Sequence, residues 1–435
     1  MAITKVDISM LEDVSGANNL VKLDANGKIP AGTGANLLNK PGALNNASDP
    51  TVSSNKTLGT QWVNTTSGEM YICTDATTGA NVWKNVGKGL KHMLLAGNGS
   101  YTLGGTVAGF SCGGLKHSPT NSTSDRIDRY AFASSSNSTD HANLAQAGKT
   151  GCGSQSTTHG YCLGGTEPGS LSDMIQKFAF ASGNATDTGY NLSMAKRTGT
   201  RQACTNATHA YVASGDGFSG GPNTAAGGYV DDTIEKFALS TDSHASDHGD
   251  LNSYLKDGFV ASGVTHGFYA GGGRGIRPYF GPAWYTVTNI EYFAYAANTK
   301  ATYVGDLTQS RSNGGSWTGP DYGYAAGGSS YWGTGGSQSV NTIDKYALVS
   351  GDNATDVGNL LSPAGTPSGA VESYTSGGST SSTTHGYYTC GGGGIPIATM
   401  IQRCAFASDG NATDVGDMTL EGGGGRAEAP YSCWD

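Results

Sequence analysis

The stretch Thr158-His159-Gly160-Tyr161-Cys162-Leu163-Gly164-Gly165 is followed, after a short loop, by Ile175-Gln176-Lys177-Phe178-Ala179-Phe180-Ala181. The first piece is an apolar segment that ends in Gly-Gly, and the second reads Ile-x-Lys-Phe-Ala. Both pieces are short and β-biased, and neither has the 3.6-residue period of a helix. They predict two neighbouring strands, with the paired glycines at the exit of the first strand, where a positive φ is needed.

This pair of segments recurs through most of the chain. The Ile-x-Lys-Phe anchor, or a close variant, returns roughly every 50 to 60 residues, a period typical of propellers and repeat arrays. The anchors begin at Ile127, Ile175, Ile234, Ile290, Ile343 and Ile401. After each anchor comes a turn and a signature that reads Asn-Ala-Thr-Asp-Val-Gly at 411–416. Each repeat thus offers four strands: strand a comes first, b ends in Gly-Gly, c carries the anchor and d carries the signature.

Four short strands in about 50 residues are the content of one propeller blade. The repeat resembles a kelch blade in its Gly-Gly strand, in the aromatic residue of strand c and in a later leucine followed by arginine. It lacks the tryptophan that kelch blades carry in strand d. The resemblance implies an all-β fold, a six-bladed kelch-like β-propeller over residues 91–435. A small β-hairpin domain at 58–90 and a largely irregular N-terminal docking segment at 1–57 precede it.

A strand after the last repeat can close the ring of blades. Residues 425–433 follow the last d strand, and we expect them to pair with strand b of the first repeat at 105–114. Residues 91–103 are the alternative source of that strand. An unpaired β edge would be prone to aggregation, which favours closure.

Residues that recur at one repeat position are expected to build the scaffold. The aromatic side chains of strand c should fill the space between blades. Cys404 takes their place in the sixth repeat, so that interface should be thinner. The histidines that open strand b should form hydrogen bonds, and the signature aspartates should accept backbone N–H groups in turns. The aromatic residues are Tyr130, Phe178, Phe237, Phe293 and Tyr346, the histidines are His159, His209, His266 and His385, and the aspartates are Asp140, Asp187, Asp247, Asp356 and Asp414.

Composition excludes several classes of protein. The 435-residue chain has 69 glycines and a formal net charge of −9. Glycine at roughly twice its usual share suits a β repeat protein with many tight turns. The acidic balance, without a basic cluster, argues against a nucleic-acid partner. None of the eight cysteines stands in a Cys-x-x-Cys motif, so buried apolar roles are expected. The sequence shows neither a signal peptide nor an apolar run long enough to span a membrane.

Residues 58–86 predict a small β unit. Gln61–Asn64 and Glu69–Cys73 flank the turn at 65–68, and a third strand follows at 81–84. Its aromatic side chains, which could form a small core or a platform for a sugar, are Trp62, Tyr71 and Trp83.

Two N-terminal segments resemble segments of bacteriophage tail fibre and tail adhesin proteins. They read LVKLDANGKIPA at 20–31 and GTQWVNTTSGEMYICTDATTGANVWK at 59–84. In that family such segments lie close to the virion. The resemblance implies a virion structural protein of the tail, assembled in the host cytoplasm. It further implies that residues 1–57 dock onto tail adaptor or nozzle proteins, and that the chain forms a homo-oligomer, usually a trimer.

The repeats depart from their template in the connections between strands b and c. These connections are short in repeats two and six but long in repeats three to five, at 216–232, 273–288 and 329–341. Because b–c connections leave a propeller on one face, the three long loops should adjoin there. Exposed aromatic and arginine side chains on a rigid scaffold suit ligand binding, although these rings could also only pack their own loops. The candidate binding residues are Arg274, Arg277, Tyr279, Phe280, Trp284, Tyr285, Trp317, Tyr331 and Trp332.

These expectations describe a tail fibre or receptor-binding protein that attaches the particle to a host surface glycan or protein. No enzymatic activity, cofactor or metal is expected. The alternatives are a head fibre or decoration protein, a glycan-cleaving propeller enzyme, and a cytosolic kelch-like scaffold. The enzyme alternative lacks a sialidase Ser-x-Asp-x-Gly-x-x-Trp box, and no carboxylate pair stands out from the repeats. The sequence leaves the receptor and the stoichiometry open.

Overall fold

The computed structural model describes residues 44–64, 70–87, 104–116, 122–168, 170–217, 229–274, 285–331, 337–348, 352–361, 375–389, 399–419, 426–428 and 430–435. The chain divides into two compact units, residues 1–99 and residues 100–435. In their described parts both consist of strands joined by turns, so the fold is all-β with many small sheets. None of the described segments contains a helix long and apolar enough to cross a membrane.

The first unit forms one four-stranded sheet, with its strands in sequence order. The strands are Leu44–Asn46, Gln61–Asn64, Met70–Asp75 and Val82–Gly87. The three predicted strands are confirmed, and a further strand at the start runs parallel to the second one. The Trp62 and Trp83 rings pack edge to face with centroids 5.7 Å apart. Each indole N–H donates to a backbone carbonyl, so these two rings form a small core.

In its described part the second unit contains six larger sheets, one for each repeat, which we number 1 to 6. Each holds strands a, b, c and d in antiparallel order, which confirms the predicted four-strand repeat. Sheet 1 consists of Tyr431–Trp434, Ala108–Cys112, Arg126–Ala131 and Thr139–Asn143, and sheet 2 of Cys152–Gln155, His159–Glu167, Ser170–Ala179 and Thr186–Asn191. Sheet 3 consists of Cys204–Thr205, His209–Gly217, Tyr229–Ala238 and Ser246–Asp250, and sheet 4 of Phe259–Ser262, His266–Ala270, Asn289–Ala294 and Thr302–Asp306. Sheet 5 consists of Gly315–Thr318, Tyr322–Ala326, Thr342–Ala347 and Thr355–Asn359, and sheet 6 of Gly378–Ser381, His385–Thr389, Met400–Ala405 and Thr413–Asp417.

Smaller strand pairings extend or accompany these sheets. Sheet 2 gains a fifth strand, Arg201–Gln202, which runs parallel to its strand a. A two-stranded sheet joins Leu115–Lys116 to Arg426–Glu428. The other small sheets are a three-stranded one of Leu255–Lys256, Gly273–Arg274 and Tyr285–Thr286, and a two-stranded one of Ser329–Tyr331 and Ser337–Ser339.

The paired glycines of strand b have the predicted backbone. Gly164 and Gly165 have φ values of 59° and 102°, and Gly271 and Gly272 have 59° and 103°. These values favour glycine because a Cβ would be strained there. In sheet 4 the Gly-Gly follows the end of strand b at Ala270, as predicted. In sheet 2 it instead forms a β-bulge inside a strand that continues to Glu167.

The C-terminal strand belongs to the first repeat, as predicted. Tyr431 lies opposite Cys112, and Cys433 lies opposite Phe110, in an antiparallel pairing. Residues 91–103, the alternative source of this strand, lie outside the described residues. The first and last parts of the repeat region are thus hydrogen-bonded in one sheet.

Aromatic side chains fill the space between neighbouring sheets. The ring of Phe237 in strand c of sheet 3 packs on Tyr161 in strand b of sheet 2, with centroids 5.6 Å apart. Both side chains are buried. The same pairing joins Phe178 to Phe110, Phe293 to Tyr211, Tyr346 to Phe268 and Tyr130 to Tyr387. The prediction for the strand-c aromatic residues is confirmed.

The signature residues also link neighbouring sheets. The Asn184 side chain accepts a hydrogen bond from Asn143 N over 3.0 Å, and Ala185 N donates to the Asn143 carbonyl. The Asp187 carboxylate accepts the backbone N–H of Gly189, which is the turn role predicted for the signature aspartates. The same aspartate bonds occur at Asp247, Asp356 and Asp414.

The residue after each anchor isoleucine is a buried hydrogen-bond acceptor. Its side chain accepts a hydrogen bond from the segment that follows strand d of the preceding sheet or, for sheet 1, strand d of sheet 6. In sheets 2 to 6 backbone N–H groups donate over 2.6–3.0 Å, from Gln146 to Gln176, Ser193 to Glu235, Asn252 to Glu291, Thr308 to Asp344 and Leu361 to Gln402. In sheet 1 the hydroxyl of Thr419 donates to Asp128 over 2.7 Å.

Among the four buried carboxylates, Asp128 has the partly buried Arg126 beside it, Glu235 and Asp344 each have a fully buried cation, and Glu291 has no such ion pair among the described residues. Lys196 lies 2.5 Å from Glu235, and Arg311 lies 3.0 Å from Asp344. In the repeat between these two, the position that Lys196 and Arg311 occupy is held by an apolar residue, Leu255. Among the described residues, Oε1 of Glu291 accepts no hydrogen bond.

Replacing Glu291 by glutamine is expected to raise the melting temperature at pH 7. Burial raises the pKa of Glu291, so the fold disfavours the ionised form and loses stability as pH rises through that pKa. Glutamine keeps the acceptor, as Gln176 and Gln402 do in their sheets. Thermal unfolding at several pH values measures the gain, which should vanish near pH ~4, where the unfolded side chain also becomes protonated.

A matched substitution in sheet 3 should have the opposite effect. Glu235→Gln leaves the buried Lys196 with only the more distant Asp231, 3.6 Å away. Breaking a buried ion pair in this way costs about 3–5 kcal/mol. Equal effects of the two substitutions on unfolding would contradict this account of the buried acceptors.

Candidate functional site

The structure describes four of the predicted site residues. Arg274, Tyr285, Trp317 and Tyr331 lie in described segments. The other candidates, which lie outside the described residues, are Arg277, Tyr279, Phe280, Trp284 and Trp332.

Trp317 is a core residue, so its assignment to the binding surface was wrong. It is fully buried, and its indole N–H donates to the Tyr387 carbonyl over 2.8 Å. A Cβ on Gly386 would overlap the Trp317 ring, just as a Cβ on Gly160 would overlap the strand-c ring of Phe178. Trp317 therefore fills the place of the missing strand-c aromatic residue.

The interface between sheets 5 and 6 is also not thinner, contrary to expectation. Cys404 is small, but Trp317 and Phe406 both pack around Tyr324, with the Phe406 ring stacked at 4.9 Å. The volume lost in strand c is supplied by Trp317, from strand a of the neighbouring sheet.

Tyr285 and Tyr331 line one cleft of about 260 Å³ in the second unit. Its walls come from the small sheets that extend the b–c connections of sheets 4 and 5. We refer to it as the tyrosine cleft. Its lining residues are Lys256, Asp257, Gly273, Tyr285, Thr286, Ser312, Ser329 and Tyr331. The structure thus brings together two residues that the sequence placed on separate loops.

Hydrogen bonds fix the two walls to each other. Tyr331 N donates to Thr286 Oγ1 over 3.2 Å. Ser312 and Ser329 exchange both backbone hydrogen bonds, at 2.9 and 2.8 Å. The cleft is therefore built on paired backbone. Arg274 is exposed, with its guanidinium carbon 5.9 Å from the Tyr285 ring centroid.

Two carboxylates and two cations form a cluster, of which Lys256 and Asp257 line the cleft. Lys256 Nζ is 3.1 Å from Asp216 Oδ2 and 3.9 Å from Asp257 Oδ2. Arg197 donates two hydrogen bonds to Asp216, at 3.0 and 2.5 Å. Burial raises the pKa of Asp257, while Lys256 opposes the shift. Asp216 is thus neutralised by two cations, whereas Asp257 has one more distant cation.

The backbone of Asp257 is held in the left-handed region, with φ of 55°. Its carbonyl accepts a hydrogen bond from Asn313 N over 2.6 Å. Thr150, Asn313 and Ser376 have the same positive φ at the equivalent position of other repeats. The backbone is therefore a property of the scaffold, and the carboxylate is what distinguishes this repeat.

Sequence reasoning missed Lys256 and Asp257. A signal for them was present, because the residue before the glycine of the a strand is Thr150, Asn313 and Ser376 in other repeats but an aspartate here. A charged side chain at a position otherwise held by neutral polar ones marks a departure from the template.

Side chains of the extra strand on sheet 2 reach the repeats of sheets 5 and 6. Arg201 and Gln202 are both buried. Arg201 donates to the Asn313 side chain of the sheet 5 repeat over 2.5 Å, and Gln202 donates to the Ser379 carbonyl of sheet 6. These polar side chains hold distant sheets together.

The histidines that open strand b form local hydrogen bonds, as predicted. In His159, His209, His266 and His385 the ring Nδ1 lies 2.8 Å from the hydroxyl of the preceding threonine. Burial lowers their pKa values. Within the described segments, no three histidine, cysteine or acidic side chains are placed to hold a metal ion. The seven cysteines in these segments are buried free thiols.

No protein-family model matches the chain, and no curated protein is significantly similar to it in sequence. The tyrosine cleft is therefore interpreted from its own residues.

Replacing Trp317 by alanine should lower the free energy of unfolding by about 3–5 kcal/mol, because it empties a buried space between sheets. Denaturant unfolding measures the loss. Adding Cys404→Phe to the same chain should recover part of it, since strand c then supplies a ring as it does in other sheets. A loss below about 1 kcal/mol, typical of an exposed side chain, would contradict the core role of Trp317.

Proposed function

We propose that the second unit is a closed six-bladed β-propeller. The support comes from contacts between sheets 6 and 1, whose b, c and d strands lie at opposite ends of the repeat region. Between the two a strands, Ser379 N donates to Ser432 Oγ over 3.0 Å. The Tyr130 and Tyr387 rings pack with centroids 5.9 Å apart. At the outer strands, Ser138 N donates to the Asp417 carbonyl over 2.8 Å. Bonds equivalent to the outer one join each earlier pair of sheets. A ring of six blades accounts for all of them.

A double-mutant cycle on Tyr130 and Tyr387 tests closure. Each tyrosine is replaced by leucine, alone and together, and unfolding free energies are measured. Closure predicts a coupling energy of about 0.5–1.5 kcal/mol, as for other aromatic pairs in contact. The pair Tyr161 and Phe237, in consecutive sheets, is the positive control. Additive effects at Tyr130 and Tyr387, with coupling in the control pair, would exclude a closed ring.

We propose that the protein is a phage tail fibre or receptor-binding protein, which attaches the particle to a host surface. The tyrosine cleft carries this proposal, because hairpins that depart from the repeat build a concave site on a rigid β scaffold. The N-terminal resemblance fits the same function. Residues 1–57 would then dock onto tail adaptor or nozzle proteins, and a homotrimer would multiply weak single sites.

The composition of the cleft favours binding over glycan cleavage. A glycosidase uses two carboxyl groups that flank the scissile bond. Among the described residues, Asp257 is the only carboxylate that lines the cleft. Asp216 is held by Arg197 and Lys256 and does not line it. A head fibre or decoration protein is the alternative virion role.

Immunogold labelling of purified particles tests the virion proposal. Antibodies against the second unit should label the tail, and mass spectrometry of the same particles should detect the chain. Labelling of the head would favour the head fibre alternative. Particles that lack the chain altogether would overturn a virion role.

A further inference from the structure

We propose that the tyrosine cleft binds one uncharged sugar ring, as the terminal residue of a host surface glycan. This inference rests on the proposed attachment function and names the class of receptor. Three features of the cleft carry it: polar groups without internal partners, the local balance of charge, and the size of the space.

The cleft presents polar groups whose hydrogen-bonding capacity is unused. The Asp257 side chain is 30% exposed, and among the described residues neither carboxylate oxygen accepts a hydrogen bond. The hydroxyls of Ser312 and Ser329 line the same space, and within the described segments they also lack partners. Because their backbones are bonded to each other, the main chain that carries these hydroxyls is held in place. A carboxylate and two hydroxyls match the donors and acceptors of adjacent sugar hydroxyl groups.

The charge balance favours an uncharged sugar over an acidic one. Arg197 and Lys256 both bind Asp216. Lys256 also lines the cleft, but its ammonium group lies closer to Asp216 than to Asp257. The Asp257 carboxylate, which accepts no hydrogen bond among the described residues, would repel a uronate, a sialate or a phosphate. A neutral sugar instead donates hydroxyl groups to it, and hydrogen bonds to an ionised acceptor are the stronger kind.

The size and lining of the cleft favour a single ring over a peptide or a protein surface. A volume of about 260 Å³ falls below the range of about 300–1,000 Å³ usual for drug-sized ligands. Protein partners need about 800 Å² of surface on each side. The rings of Tyr285 and Tyr331 supply apolar surface, against which the C–H face of a sugar ring packs.

Saturation-transfer NMR with the full chain tests the proposal. The probes are glucose, galactose and N-acetylglucosamine as neutral sugars, with glucuronate and N-acetylneuraminate as acidic ones. At least one neutral sugar should bind and both acidic sugars should not. Asp257→Asn should weaken binding about tenfold or more, as expected for loss of a charged acceptor. Tyr331→Ala should weaken it as well.

Two control variants distinguish an effect on the cleft from a general effect of losing a charge or a tyrosine. Asp187→Asn removes one negative charge but keeps the acceptor for Gly189 N, and Tyr303→Ala removes an exposed tyrosine of sheet 4. Neither should change sugar binding. Stronger binding of an acidic sugar, or equal loss in the control variants, would overturn the inference.

Adsorption of particles to host cells distinguishes this inference from the function on which it rests. If Tyr331→Ala lowers adsorption while no sugar of either set binds, the receptor is a protein, and the sugar proposal is overturned while attachment stands. If neutral sugars bind the chain but the particles lack it, the sugar site stands and the virion function fails.

Discussion

The second unit depends on the buried acceptor that follows each anchor isoleucine. A buried acceptor left without a donor costs about 1–3 kcal/mol. In sheet 3 the donor for Glu235 is Ser193 N, which lies in the segment after strand d of sheet 2. An isolated repeat would leave both the side chain and this backbone group without partners. Each repeat therefore requires its neighbour, as in other repeat architectures, and the sheets are stable only as a set.

The aromatic layer imposes a second constraint, on volume. In most sheets a strand-c ring lies over the strand-b glycine of its own sheet, as Phe178 lies over Gly160, and reaches the next sheet. Close packing does not specify which strand provides the atoms. In sheet 6 strand c offers only Cys404, and Trp317 of sheet 5 lies over Gly386 instead. The packed space is thus the conserved feature within the chain, and the residue that fills it can change.

The parts of the fold that could be predicted are those that local chemistry determines. The Gly-Gly of strand b has a positive φ in each repeat where the structure describes it. A period of about 50 residues makes each strand visible several times. Tyr285 and Tyr331 could be found because long loops stand out against a regular template. The burial of Trp317 could not be predicted from the sequence, because it depends on a side chain that is missing from another sheet. The cleft around Lys256 and Asp257 could not be predicted either, because its walls come from segments that only the fold brings together.

The segment that opens the fourth repeat departs from the corresponding segments of its neighbours at Leu255 and Asp257, and Asp257 lines the candidate site. Leu255 stands where Lys196 and Arg311 stand in neighbouring repeats, so Glu291 has no buried cation beside it. One residue further on, Lys256 extends towards Asp216, and the Asp257 carboxylate stays without a hydrogen-bond donor among the described residues. Violations of local rules that a protein retains concentrate at functional sites.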